Sequence, residues 1–144
     1  MAVSLHHTHL MASDIDATIA FWCDLFDGRV VHDVEFAGAR NVFLQIGTGR
    51  LHLYDQAPRT AGAATVHHLG IETDDLEAQV ARLDSAGVSV TDIRDGGDAR
   101  YAMAEGPDEL LLEIFQVDTT RTPLALVNFF ELHPDKHRDR KDMQ

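Results

Sequence analysis

Apolar and polar positions change their period twice along this chain, in the same order each time. Residues 3–12 alternate, with Leu5, His7, His9 and Met11 on one face and His6, Thr8 and Leu10 on the other, which predicts a strand. Ile15, Ile19, Trp22 and Phe26 then recur at helical spacing; Ser13 or Asp14 is placed to cap that helix and Gly28 to stop it. Residues 29–36, 41–46 and 50–55 read as three strands, broken by Ala37-Gly38 and Gly47-Thr48-Gly49. After a segment of Pro58, Gly62 and small residues the order returns. A strand is predicted over 65–73 and a helix over 75–86, with Leu76, Val80 and Leu83 as its stripe and Gly87 as its stop. Strands over 88–93, 100–104 and 110–117 complete the second set.

The recurrence holds residue by residue. His-His pairs stand at 6–7 and 67–68, and Asp14-Ile15 and Asp75-Leu76 open the two helices, each correspondence spanning 61 residues. The same offset carries Leu51-His52-Leu53-Tyr54 onto Leu112-Glu113-Ile114-Phe115. A repeat of this length means two copies of one supersecondary unit. The prediction is an α+β chain of two βαβββ modules, at 1–57 and 65–117, joined by a linker at 58–64. A C-terminal extension follows at 118–144, in which 124–132 is apolar enough to pack on something and the charged end is expected to be mobile.

Composition narrows the setting. A hydrophobic share of 44% in 144 residues is enough for a sizeable core. Lone Cys23 excludes an intrachain disulfide; with no basic-then-apolar leader at the N-terminus, a reducing, cytoplasmic compartment is expected. No stretch nears the ~18 apolar residues of a membrane span. The net charge of −12 is unevenly spread: residues 1–117 hold seven arginines, no lysine and 19 acidic side chains. Such a body repels nucleic acid and anionic membranes, so neither is an expected partner, and polyanionic substrates are disfavoured too.

Four side chains of metal-binding type, His7, His52, His68 and Glu113, fall on two pairs of equivalent positions. Imidazole and carboxylate hold Zn, Fe, Mn, Co or Ni, and two His with one carboxylate is the facial set of Fe(II) oxygen chemistry. A strand histidine taken singly is more often structural, so the weight rests on the four agreeing in register. His7, His68 and Glu113 are the expected ligands, and His52 either coordinates or lines the pocket. His6 and His67 are expected to point to the opposite faces of their strands. His9, on the face of His7, is the rival for its place.

His7-Thr-His-Leu-Met-Ala-Ser-Asp14-Ile, with Phe21-Trp22 and Leu25-Phe26-Asp27-Gly28, resembles the opening of the vicinal oxygen chelate (glyoxalase/bleomycin-resistance/dioxygenase) superfamily. His67-His68-Leu-Gly-Ile-Glu-Thr-Asp-Asp75-Leu resembles its second-module opening, and Gly106-Pro107-Asp108-Glu109-Leu-Leu-Leu-Glu113-Ile-Phe-Gln116 its closing strand. The resemblance covers residues 3–117 and implies curled mixed sheets around a central metal site. It also implies a homodimer in which modules of different chains pair, so that one site draws ligands from two subunits. His7, His68 and Glu113 match ligand positions of the family, while His52 falls where glyoxalase I has a glutamate and related epimerases a glutamine. Two departures stand out. Glu109 replaces the usual turn glycine, and Met103 replaces a tyrosine of ring-cleaving members, with Tyr101 two residues earlier on the same face.

The resemblance implies a metal that takes two neighbouring oxygens of a small-molecule substrate and acts as a Lewis acid. An oxygenase is the first expectation: Fe(II), or else Mn, Ni, Co or Zn, with a catechol-like or polycyclic hydroxyaromatic substrate. In it His52, Tyr101 and Glu113 are the catalytic candidates, and Phe43, Tyr54, Met103 and Phe115 the apolar wall. An isomerase or lyase of the glyoxalase or epimerase type, with Glu113 as base, is the alternative, together with a fosfomycin-type transferase. Both hold anionic groups, for which seven arginines are thin provision. A bleomycin-type binder of a cationic drug would suit the charge but has no use for the ligand set.

Overall fold

The computed structural model describes residues 6–36, 38–61, 66–97 and 99–122. The expectations for 124–144 therefore lie outside the described residues. What is described falls into two compact units, one drawn from Met1–Leu69 and Glu105–Leu111, the other from Gly70–Ala104 and Leu112–Gln144.

The first unit runs β1 (Thr8–Ala12), α1 (Ile15–Phe26), β2 (Arg29–Phe36), β3 (Ala39–Ile46) and β4 (Gly49–Asp55). Its sheet order is β1-β4-β3-β2, with β1 parallel to β4 and the other pairs antiparallel. Asp14 caps α1, its carboxylate accepting from the Ala17 N–H at 2.9 Å. Ile15, Thr18, Trp22 and Phe26 are the buried stripe, packed with Ala12, Val42, Leu44 and Leu53. Thr18 takes the place expected of Ile19 and remains satisfied because its hydroxyl donates to the Asp14 carbonyl at 2.8 Å. The helix stops on Asp27 in the left-handed conformation, φ 54°. Gly28 is needed for a different reason: a Cβ there would lie 2.7 Å from the Trp22 carbonyl oxygen.

The second unit repeats the plan with β5 (Leu69–Glu72), α2 (Leu76–Ser85), β6 (Arg94–Asp95), β7 (Ala99–Glu105) and β8 (Leu111–Val117), in sheet order β5-β8-β7-β6. The α+β class and the two βαβββ modules with mixed sheets are as the sequence predicts. Asp75 caps α2 through the Ala78 N–H at 3.0 Å, and Leu76 and Leu83 meet a core of Ala102, Ala104, Leu112 and Ile114. Gln116 joins β8 to the helix start, donating to the Asp74 carbonyl at 2.7 Å.

Several element boundaries differ from expectation, and β1 begins only at Thr8. β5 begins at Leu69 rather than at 65, and β3 begins at Ala39. The strand expected over 88–93 is reduced to a single bridge, Val90 with Ala104. There the Thr91 hydroxyl accepts from the Met103 N–H at 3.0 Å, a side chain occupying a donor that a ladder would use. Regular pairing starts only at Arg94 and Asp95, opposite Tyr101 and Arg100. Among the described residues no helix is long and apolar enough to cross a membrane.

Candidate functional site

In each unit one face of the sheet packs against the helix, and the candidate residues stand on the other. On β4, Leu53 is fully buried while its neighbours His52 and Tyr54 are half-buried; on β8, Leu112 and Ile114 are fully buried while Glu113 and Phe115 are half-buried. β7 alternates likewise, with Ala102 and Ala104 in the core and Tyr101 and Met103 opposite. Period-two alternation thus puts the expected catalytic and pocket residues off the core layer of their own unit.

Strand register turns that face of the first unit into a row of rings. His9 pairs with His52, His52 with Phe43, and Phe43 with His32, one residue from each of four strands. The rings of His9 and His52 stack at 4.1 Å and 7°, those of His52 and Phe43 at 4.3 Å and 15°. His32 follows at 6.1 Å from Phe43, and the His7 ring lies 6.0 Å from His52. Phe43 stays 37% exposed and Met11 38%, so this face carries apolar surface open to a ligand.

His52 is held by hydrogen bonding as well as by stacking. Its Nε2 lies 2.8 Å from Asn41 Oδ1, and the Asn41 Nδ2 donates to the Ala39 carbonyl at 2.9 Å. Burial lowers the imidazole pKa below its ordinary value, and the neighbouring His9 and His7 lower it further. Two imidazoles on one ion, each about 2.1 Å from it, have centroids about 5 Å apart. The rings of His7 and His52, 6.0 Å apart, stand wider than that. His9, the expected rival of His7, has one ring face occupied by His52.

The remaining candidates are placed as follows. His7 and His68 precede β1 and β5 rather than lying within them. Strand alternation, on which the expectation of opposite faces for His6 and His67 is built, consequently does not govern the His-His pairs. His6 Nδ1 is 3.1 Å from His7 Nδ1, and His67 Nδ1 is 2.8 Å from His68 Nδ1. His7 and His52 are brought together; among the described residues no three His, Cys, Asp or Glu side chains gather as a metal would need. Burial and nearby Asp24 raise the Cys23 thiol pKa, which makes it a poor nucleophile.

Two arginines that could meet an anion are engaged elsewhere. Arg40 bridges Asp16 and Asp33 at 2.7 Å each, and Arg100 pairs with Glu77 and Gln116. Sequence reasoning missed Asn41 and His32. Asn41 is 3% exposed, a polar residue two before Phe43 on a predicted strand, and its nearness to His52 depends on pairing between strands.

Known proteins resemble this chain in sequence or in fold. YaeR of Escherichia coli K12, an uncharacterised protein, is 28% identical over 123 residues, which cover 78% of this chain and 95% of YaeR. The fosfomycin resistance protein FosX of Listeria monocytogenes superposes with a TM-score of 0.70 at 17% identity, over 84% of this chain and 98% of FosX. A glyoxalase family protein from Enterococcus faecalis does so with a TM-score of 0.66 at 21% identity, over 78% and 96%. The sequence model of the Glyoxalase/Bleomycin resistance protein/Dioxygenase superfamily matches residues 4–114, and together with the paired βαβββ units this means that the chain belongs to that superfamily.

Proposed function

We propose that the chain is a metal-dependent oxygenase acting on a small catechol-like or polycyclic hydroxyaromatic substrate. His7, His68 and Glu113 are the metal ligands, drawn from two subunits of a homodimer, and His52 is either a fourth ligand or the acid–base group. The bound ion, Fe(II) by preference, supplies Lewis acidity to two neighbouring substrate oxygens. The row of rings beside His7 is the observation that carries the reading. A neutral aromatic ring finds there Phe43 and Tyr54 in the first unit, as it would find Met103 and Phe115 in the second. His52, held neutral by burial, can accept a substrate hydroxyl proton, and Tyr101 is the other candidate for that role.

One observation favours a second reading, an isomerase or lyase. A neutral imidazole beside a metal also serves as base for abstracting a carbon-bound proton, and Glu113 could share that task. A fosfomycin-type reaction fits less well, since Arg40 and Arg100 are committed to carboxylates. FosX of L. monocytogenes has been crystallised with Mn(II), so manganese belongs among the metals to be tried.

Metal analysis of protein purified without added metal separates the readings. Iron, with O₂ uptake on a catechol, is the expected result. Manganese, nickel, zinc or cobalt without O₂ uptake would favour the isomerase or lyase, and metal-free protein that binds a cationic drug would sink both. His68→Ala should lose the metal; stoichiometric retention would overturn the ligand set.

A further inference from the structure

We propose that Asn41 is the positioning residue of His52: it keeps the imidazole proton on Nε2, so that Nδ1 is the nitrogen left to meet metal or substrate. That last role of Nδ1 rests on the function proposed above; the placement of the proton does not. A side-chain amide has one end that only donates and one that only accepts. The end of Asn41 facing the Ala39 carbonyl must be the donor, which fixes Oδ1 as the end facing His52. Oδ1 cannot donate, so at 2.8 Å the hydrogen between them belongs to Nε2. In a neutral ring the lone pair then resides on Nδ1.

The surroundings hold the ring to this choice. His9 covers one face of His52 at 4.1 Å and Phe43 the other at 4.3 Å, which confines the ring to the plane in which Asn41 meets it. Register gives the direction. Asn41 pairs with Tyr54, two residues beyond His52, whereas His7 lies two residues before His9, the partner of His52 on the parallel strand β1. Nε2 is drawn towards one end of the strands, while His7 stands towards the other. Asn41 is itself almost wholly buried, so water competes weakly for the bond. An acceptor on the second ring nitrogen is how proteins orient a metal-binding imidazole, and losing one typically weakens metal affinity ~10–100-fold.

The test is the tautomer of His52 in the full chain freed of metal, read from long-range ¹H–¹⁵N NMR correlations of the imidazole. The wild type should show Nε2–H with an unprotonated Nδ1. Asn41→Ala should yield mixed tautomers, and Asn41→Asp, which still accepts, should restore Nε2–H. A wild-type ring protonated on Nδ1, or one unchanged in Asn41→Ala, would overturn the proposal; the wild-type spectrum decides even if the alanine variant fails to fold. Mn(II) titration of the same proteins then separates the two readings. Affinity that falls ~10–100-fold in Asn41→Ala and recovers in Asn41→Asp supports Nδ1 as a ligand. Unaltered affinity alongside an altered tautomer would leave Asn41 as the positioning residue and remove His52 from the ligands.

Discussion

Burial, then the rings of His9 and His7, hold the His52 imidazole below its ordinary pKa of 6.5. The unfolded chain binds this proton at higher pH than the folded one, so the sign follows. The stability that His52 contributes is fully present above about pH 6.5 and is lost as pH falls through the lower folded value. NMR titration of its ring protons should give a midpoint below 6.5, moving upward in His9→Ala; a midpoint at or above 6.5 would refute it. The turn before β8 offers a contrast in sign. Asp108 and Glu109 both have left-handed backbone, φ 57° and 60°, where a residue with a Cβ is disfavoured by about 1 kcal/mol. Glu109→Gly should raise the denaturation midpoint, by about 1 kcal/mol at most, since unfolded glycine is freer. Asp108→Gly should lower it, because that carboxylate accepts from the Ser13 N–H at 3.0 Å and from the Ser13 hydroxyl, tying the turn to the start of α1. The missing glycine was legible in the sequence; the bonds that hold Asp108 were not.

Helix starts and strand interiors were equally readable as locations but differ in weight. Asp14→Ala and Asp75→Ala each remove a cap, an expected loss of about 1 kcal/mol. Leu53→Ala, at a fully buried position, should cost ~2–5 kcal/mol, so packing against the helices outweighs their capping. Equal losses in urea unfolding would contradict this ranking. Past β8 the chain is strapped back to β6 by Arg121, whose guanidinium donates twice to Asp95. That pairing, aided by the Gly97 N–H, holds the Asp95 carboxyl to about 2. The strap should survive down to pH 4 and open only towards pH 2; a ¹³C carboxyl titration with a midpoint near the ordinary 3.8 would count against it. The shortness of β6 was hidden, because Thr91 and Val90 have strand-forming side chains and only the bond from Met103 shows the ladder interrupted.

The two units share one plan, and the proposed ligands are divided between them, His7 in the first and Glu113 in the second. If each site draws on two subunits, mixing His7→Ala with Glu113→Ala chains should regenerate intact sites in mixed dimers. Random pairing of the two would restore about a quarter of the metal binding of wild type. Each variant alone should bind none. A mixture that stays metal-free, though exchange of subunits is demonstrated, would require the ligands of a site to come from one chain. The charge of the body acts at larger range: with seven arginines against 19 acidic side chains, and Arg40 and Arg100 paired to carboxylates, it offers little to an anionic partner.

From the linear chain came the doubled βαβββ order, the helix caps and the faces on which His52, Glu113, Tyr54 and Phe115 stand. These follow from period and offset, which are properties of neighbours and of a 61-residue repeat. Pairing between distant strands decided the rest. The parallel register of β1 on β4 stacks His9 on His52, and β3 beside β4 brings Asn41 to its Nε2. A slip of one residue would turn those rings to the helix side without altering any local preference, so only the assembled sheet could specify them.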